Sequence, residues 1–318
     1  MFYSMDVVLG TCIGVGMNPT LREMAATGQR YFDTVIIDEA AKANLAETIV
    51  PMRLGRRFVL VGDDNQLPPY IDRLELQDFC TKQNIRNSEQ KAIFDSMSTS
   101  FFEQCHQLVG DENVISLNYQ HRMHPEIGNC ISNLFYNGNV KNGSQTKERE
   151  MSLSSFPNAV TFVDTTSYGS SAYEKKTITM SYYNQKEIDI IKNEILPNIN
   201  SSIDFSLAII SPYMGQVQQL KKQLPEQYKN SIYTIDSIQG SEFDVVVFSF
   251  VRAFSNDAAL QGANVGFVDD MRRLNVSLSR AKKKLILVGN HQTLQNPEAH
   301  KHVMITEHSD RHPLEVFN

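Results

Sequence analysis

Asp38 and Glu39 are adjacent carboxylates directly behind the apolar run Val35, Ile36 and Ile37. That run has no polar alternation, so it reads as a central parallel strand covered on both faces, with the acids at its carboxyl end. In open α/β sheets this edge is where ligands bind, and two hard oxygen donors there suit Mg²⁺ and the activation of a water. A second strand, Phe58 to Val61, runs into Gly62, Asp63, Asp64, Asn65 and Gln66. Pro68 and Pro69 then stop any regular structure and hold the polar loop near the first acids. Two acid-tipped strands joined through a helix-length segment form a βαβ unit whose polar groups converge at one edge. The competing reading is that Asp38 and Glu39 simply open a helix, where acids offset unpaired backbone N–H groups.

Further along, Arg122 lies between His121 and His124 in NYQHRMHP, and no acid or cysteine completes a metal ligand set there. Gln239, Gly240 and Glu242 precede the apolar strand Val245 to Phe250, and a helix carrying Arg280 precedes the strand Leu285 to Val288. Ser206 to Ile210 reads as a strand ending in SPYMGQ, where Tyr213 and Gln216 open a helix; Ser211 and Pro212 suffice to explain that start. Val7 to Ile13 reads as a short strand ending in small residues around Thr11, or as a strand and a plain turn. Asn18 and Pro19 start a helix, and two or three helices are expected over 72–110, with Met97, Phe101 and Phe102 as core. Asn184 to Leu196 reads as another helix. The stretch 141–176, rich in Ser, Thr, Gly and charge, reads as a loop-bearing insertion with one strand, Ala159 to Val163.

The 318 residues are 41% hydrophobic, enough for a sizeable core and two domains. The apolar runs are strand-sized, so no transmembrane segment and no membrane partner is expected. Cys12, Cys80, Cys105 and Cys130 are far apart with no CxxC pair, which points to a reducing compartment: inside the cell, in the cytoplasm or, in a eukaryote, the nucleus. With a net charge of −6 there is no overall basic coat, so any nucleic-acid contact must be local. Arg53, Arg56 and Arg57, Arg272 and Arg273, and Lys282 to Lys284 are basic groups that could equally be solvated faces. His300, His302, His308 and His312 fall in a polar tail read as a frayed surface segment.

In order along the chain, these strings resemble the motifs of superfamily 1 helicases, in their Upf-like and senataxin-like branch. DEAA at Asp38 and the GDDNQLPP loop resemble motifs II and III, QHRMHP resembles motif IV, and the segments around Glu242 and Arg280 resemble motifs V and VI. The resemblance implies an α/β fold of two RecA-like parallel-sheet domains, the first incomplete at its N-terminus, over 1–116 and 117–290, with a tail at 291–318. It implies that the domains clamp ATP and step 5′ to 3′ along single-stranded DNA or RNA. Residue by residue, Asp38 would hold Mg²⁺, Glu39 would polarise the attacking water, and Gln66 would sense the γ-phosphate. Arg122 would reach that phosphate from the second domain, and Arg280 would supply an arginine finger. Glu242 and Gly240 would contact the nucleotide, Glu242 accepting from the ribose hydroxyls. His121 stands where the family has a base-stacking tyrosine, and imidazole can stack too. Thr11, Tyr213, Gln216, Ser237 and Gln239 would lie toward the nucleic acid. The sequence departs from the family's DEAxQ at Lys42.

One element is missing from the series. A phosphate-cradling loop, GxxxxGK[ST], occurs nowhere in the 318 residues, and the glycine-rich stretch from Gly10 to Gly16 carries no lysine. The loop is therefore expected on an upstream polypeptide, either part of the same protein or a partner. Two classes of function follow: an ATP-driven helicase or translocase, and a non-catalytic nucleic-acid-binding or scaffold protein that kept the fold. The joint presence of Asp38, Glu39, Gln66, Arg122, Glu242 and Arg280 favours the first, because a scaffold needs none of them to fold.

Overall fold

A computed structural model describes residues 6–28, 30–199 and 205–296. They divide into two compact units, Met1–Ser116 and Leu117–Asn318.

In the first unit the Thr11 hydroxyl accepts from Gly14 N and caps helix α1 (Cys12–Met17), and Asn18 caps α2 (Pro19–Ala26) with Pro19 in its first turn. The strand expected over Val7 to Ile13 does not form: residues 7–10 have no regular structure, and a cap and a helix follow. Strands β1 (Phe32–Ile37) and β2 (Gly55–Leu60) pair in parallel, with Ile37 opposite Leu60. The helix between them, α3 (Leu45–Met52), opens on a capping box of Asn44 and Glu47. Ile36 is 68% exposed and Phe58 50%, so β1 is not covered on both faces as its apolar run suggested. Three helices follow, α4 (Arg73–Lys82), α5 (Asn87–Ser98) and α6 (Phe101–Leu108). Their expected core is shallow: Phe101 and Phe102 are half-buried and Met97 is exposed. Among the described residues of this unit Leu21, Met24 and Leu54 form a buried cluster.

The second unit contains, in order, β3 (Tyr119–Gln120), α7 (Pro125–Phe135), β4 (Lys141–Asn142), β5 (Val160–Asp164), β6 (Lys175–Lys176) and β7 (Tyr182–Tyr183). Helices α8 (Gln185–Ile190) and α9 (Leu196–Ile199) are joined by a π turn, Ile191–Ile195, so the helix expected from Asn184 runs on past Leu196. Then come β8 (Leu207–Ser211), α10 (Met214–Gln223), β9 (Ile232–Thr234), β10 (Phe243–Ser249), α11 (Asn256–Leu260), α12 (Met271–Leu278), β11 (Ala281–Gly289) and α13 (His291–Leu294). Five strands form a parallel sheet in the order β5-β11-β10-β8-β9. Its centre is fully apolar, and Ile209, Val245, Val247 and Ile286 pack against Ile188, Ile191, Ile195 and Leu220 of the covering helices. Each such side chain contributes about 1.5–3 kcal/mol through burial.

The stretch 141–176 is part of this architecture rather than an insertion, because β4 pairs with β3 and β5 forms the sheet edge against β11. A buried ammonium fixes the entry to β5: Lys284 Nζ donates to the carbonyls of Phe156 (2.7 Å), Pro157 (3.0 Å) and Asn158 (2.9 Å). Burial lowers the pKa of this lysine, which is no solvated face. All four cysteines are free thiols. Among the described residues no helix is long and apolar enough to cross a membrane. The tail histidines from His300 onward lie outside the described residues.

Candidate functional site

In the first unit the two loops at the carboxyl ends of β1 and β2 are laced together. Val61 N donates to Ile37 O (2.9 Å) and Ala40 N donates to Val61 O (2.8 Å), which brings the Asp38–Glu39 turn against the GDDNQ loop. Gly62 allows this approach, since a Cβ there would stand 2.8 Å from Ala41 N. Glu39 has a φ of 54° and is exposed. Left-handed backbone at a non-glycine residue costs of order 1–3 kcal/mol, and such strain concentrates at functional sites. Helix α3 begins only at Leu45, so Asp38 and Glu39 form a turn of their own and do not open a helix. Asp38 Oδ1 accepts from Glu39 N (3.0 Å). Gln66 Nε2 donates to Asp63 Oδ2 (2.7 Å), which also holds its loop closed. Two exposed carboxylates at a strand end fit Mg²⁺, which takes one or two carboxylates and completes its shell with phosphate oxygens and waters. Among the described residues no group of three or more His, Cys, Asp or Glu side chains is placed to hold a metal by itself.

In the second unit Arg122, Glu242 and Arg280 come together although more than a hundred residues separate the first two. Arg122 Nε donates to Glu242 Oε2 (3.0 Å) and its Nη1 donates to Ser279 O (3.2 Å). Lys282 Nζ lies 3.7 Å from Glu242 Oε1. Gly240, with a φ of 83°, turns the chain into this corner just before β10. The Arg122–Glu242 pair is part-exposed, 35% and 48%, and pairs of that kind contribute under about 1 kcal/mol, so a ligand can displace it at little cost. Arg280 is the residue expected to supply an arginine finger. It sits past the end of α12 with 3% exposure, donating from Nε to Val276 O (2.8 Å), from Nη1 to Ser241 O (3.2 Å) and from Nη2 to Ser279 Oγ (3.2 Å). Its guanidinium therefore fastens the chain entering β10 to the end of α12. His121 is exposed, and its ring lies so close to Gly143 that a Cβ there would stand 2.3 Å away.

Of the residues expected at a nucleic acid, Thr11, Ser237 and Gly240's neighbour Gln239 reach solvent at least in part, while Tyr213 and Gln216 are buried. Gln216 Nε2 donates to Ser249 Oγ (2.8 Å) and its Oε1 accepts from Asn184 N (2.8 Å). Tyr213 OH donates to Val265 O (2.9 Å). Neither side chain offers an atom to a strand passing outside in this conformation. They belong to a brace at the carboxyl ends of β8 and β10, completed by Glu187, which accepts from Val251 N (3.0 Å) and Ser249 Oγ (2.5 Å). Full burial pushes the Glu187 pKa up to about 8. Beside it Arg252 pairs with Glu174 (2.9 Å) and lies 4.2 Å over the Tyr182 ring.

Residues 97–292 match the family model AAA_12, described as an AAA domain, and residues 1–73 match AAA_11, also an AAA domain. Helicase sen1 of Schizosaccharomyces pombe is 30% identical over 304 residues, 92% of this chain and 16% of that protein. The ATP-dependent helicase upf1 of the same organism is 30% identical over 299 residues, 91% of this chain and 29% of the relative. The probable helicase senataxin of Homo sapiens is 29% identical over 284 residues, 86% of this chain and 10% of its own length. The chain belongs to the Upf1/senataxin-like superfamily 1 helicases. It spans under a third of each of these relatives. Among solved structures the helicase of PRRSV aligns over 85% of this chain and 38% of its own, at 16% identity and a TM-score of 0.40.

Within this helicase segment the structure adds residues that the motif reading passes over. Gln120 and Asn142 hold the Arg122 loop, and Lys282 supports Glu242. The signal for Gln120 is its place two residues before Arg122. Asn142 carries none, because its partners lie across a loop.

Proposed function

We propose that this segment forms part of an ATP-driven helicase or translocase that works on single-stranded DNA or RNA inside the cell. The observation that supports this reading most directly is the meeting of Arg122, Glu242 and the Arg280 turn at one corner of the second unit. A scaffold gains nothing from a weak, part-exposed ion pair that a ribose and a phosphate can exchange for themselves. When bound, Mg²⁺ supplies positive charge that offsets the charge developing on the transferring phosphoryl group. Asp38 would hold that ion, Glu39 would take the proton of the attacking water, and Gln66 would orient beside the γ-phosphate. Glu242 would accept from the ribose hydroxyls, freeing Arg122 to turn to phosphate oxygens. The phosphate-cradling loop comes, in this proposal, from a polypeptide segment outside these 318 residues. Nucleic acid would be held mostly through its backbone, by exposed groups such as Thr11, Ser237 and Gln239, so binding weakens with salt and shows little sequence preference.

The test uses the intact protein that carries this chain, with phosphate release measured with and without single-stranded RNA or DNA. Glu39→Gln is expected to keep ATP binding and to lower stimulated hydrolysis by about 10² or more, because proton transfer is lost while the ion stays held. Wild-type turnover in that variant would falsify the assignment. Polymer binding without any stimulated hydrolysis in the wild type would establish the scaffold reading instead.

A further inference from the structure

We infer that Gln120 and Asn142 are the positioning residues that set Arg122, an inference that rests on the nucleotide role proposed for that arginine. Gln120 lies in the two-residue strand β3 and Asn142 in its partner β4, and the side chains meet across the pair. Gln120 Oε1 accepts from Arg122 N (2.9 Å) and from Met123 N (2.7 Å). Its Nε2 donates to Met123 O (2.9 Å) and to Asn142 Oδ1 (2.6 Å). One amide side chain thus has both acceptor and both donor positions filled, three of the four bonds going to the main chain at or next to Arg122. Asn142 Nδ2 passes the restraint on, donating to Asn129 Oδ1 (2.7 Å) and Pro125 O (3.2 Å) of α7.

Two further contacts close the loop. His124 N donates to Lys282 O (2.7 Å), which fixes the far end of the loop to β11. Gly128 leaves the space the amides occupy, since a Cβ there would stand 2.1 Å from Asn142 Oδ1 and 2.6 Å from Gln120 Nε2. The main chain carrying Arg122 is therefore held on both sides, while its guanidinium keeps a weak, part-exposed carboxylate partner and one bond to Ser279 O (3.2 Å). That is the division a phosphate-reaching arginine needs: a fixed origin, so that little is lost in ordering it, and a head free to exchange partners. A loop that only connected two elements would need no such clasp at its centre.

The experiment is steady-state ATP hydrolysis by the intact protein in the presence of single-stranded polymer, with kcat and KM determined separately. Gln120→Ala and Asn142→Ala are each expected to lower kcat about tenfold or more with KM for ATP within about twofold, since positioning acts mainly beyond ground-state binding. The double variant Gln120→Ala/Arg122→Ala is expected to be no slower than Arg122→Ala alone, because groups acting through one another are not additive. Gly128→Ala, which crowds the same two amides, should reproduce the loss if Gln120→Ala does not fold. Wild-type kcat in Asn142→Ala and Gln120→Ala while Arg122→Ala is slow would overturn the positioning role, as would full additivity in the double variant. Wild-type kcat in Arg122→Ala would instead overturn the proposed role of Arg122 itself.

Discussion

At the scale of single residues, the two arginines expected to serve one phosphate are held in opposite ways. Arg122 keeps a part-exposed carboxylate partner, whereas Arg280 is buried with its donors directed at Val276 O, Ser241 O and Ser279 Oγ. The motif spacing makes both residues visible and says nothing of this difference, because spacing fixes the position of a Cα and not which carbonyls surround the side chain. A guanidinium in a buried fork stabilises the turn it crosses, each hydrogen bond to a charged group contributing about 1.5–3 kcal/mol. Arg280→Ala is therefore expected to lower the stability of the second unit by about 2 kcal/mol or more, read as a lower urea midpoint, and to slow hydrolysis in the intact protein. Arg280→Lys should recover less than half of the stability, since one ammonium nitrogen cannot stand where three guanidinium nitrogens each meet a separate acceptor. An unchanged midpoint in Arg280→Ala would show that the fork seen here carries no weight in the folded ensemble.

At the scale of elements, β8, β10 and β11 are legible because they are covered on both faces and so read as unbroken apolar runs. Helix α2 is legible from Asn18 and Pro19, and the βαβ unit from its two acid-tipped strands. Strand β4, Lys141–Asn142, is not, because its pairing depends on β3 twenty-two residues earlier. Strand β5 is legible as a strand from Ala159 to Val163, but its place at the sheet edge is not, since that depends on β11, whose Lys284 holds the residues leading into it. The brace at the ends of β8 and β10 escapes notice for a related reason, since Tyr213 and Gln216 look like surface residues until Asn184, Glu187 and Ser249 surround them. That brace gives the unit a pH dependence. The Glu187 pKa, raised by burial to about 8 against 4.5 for the free group, means that the folded state keeps a proton the unfolded state has lost. Its contribution is then fully present below about pH 4.5 and is lost as pH rises toward 8, at up to about 1.4 kcal/mol per pH unit. Glu187→Gln should flatten the urea midpoint of the second unit between pH 5 and pH 8. A variant whose midpoint falls across that range as steeply as the wild type would place the titration elsewhere.

At the scale of the whole molecule, the two units differ in how much apolar surface they bury. Among the described residues the second is built on a continuous cluster running from Leu153 through Ile209 and Val247 to Val288, while the first shows a smaller one of Leu21, Met24 and Leu54. Ile36, Phe58 and Val59 of the first unit's two-stranded sheet are 68%, 50% and 47% exposed, so the strands that end in Asp38 and in the GDDNQ loop rest on a thin foundation. Local opening free energy follows buried contact, so the amides of β1 and β2 should exchange with deuterium much faster than those of β8 and β10. Under the proposed function the acids of this unit would not act alone, because phosphoryl transfer depends on positioning and no stretch of the 318 residues reads as a GxxxxGK[ST] cradle. The 318 residues by themselves are accordingly expected to release no phosphate above background, with or without single-stranded polymer, and to associate through the exposed sheet as concentration rises. Adding a polypeptide that carries the phosphate-binding loop with its flanking strands should slow exchange in β1 and β2, because a binding partner stabilises what it covers, and should restore polymer-stimulated phosphate release. Robust turnover by the 318 residues alone would locate a phosphate cradle within them, with the stretch from Gly10 to Gly16, the start of α1, as the first segment to mutate. Restored turnover with unchanged exchange in β1 and β2 would show instead that the loop acts without packing on that sheet.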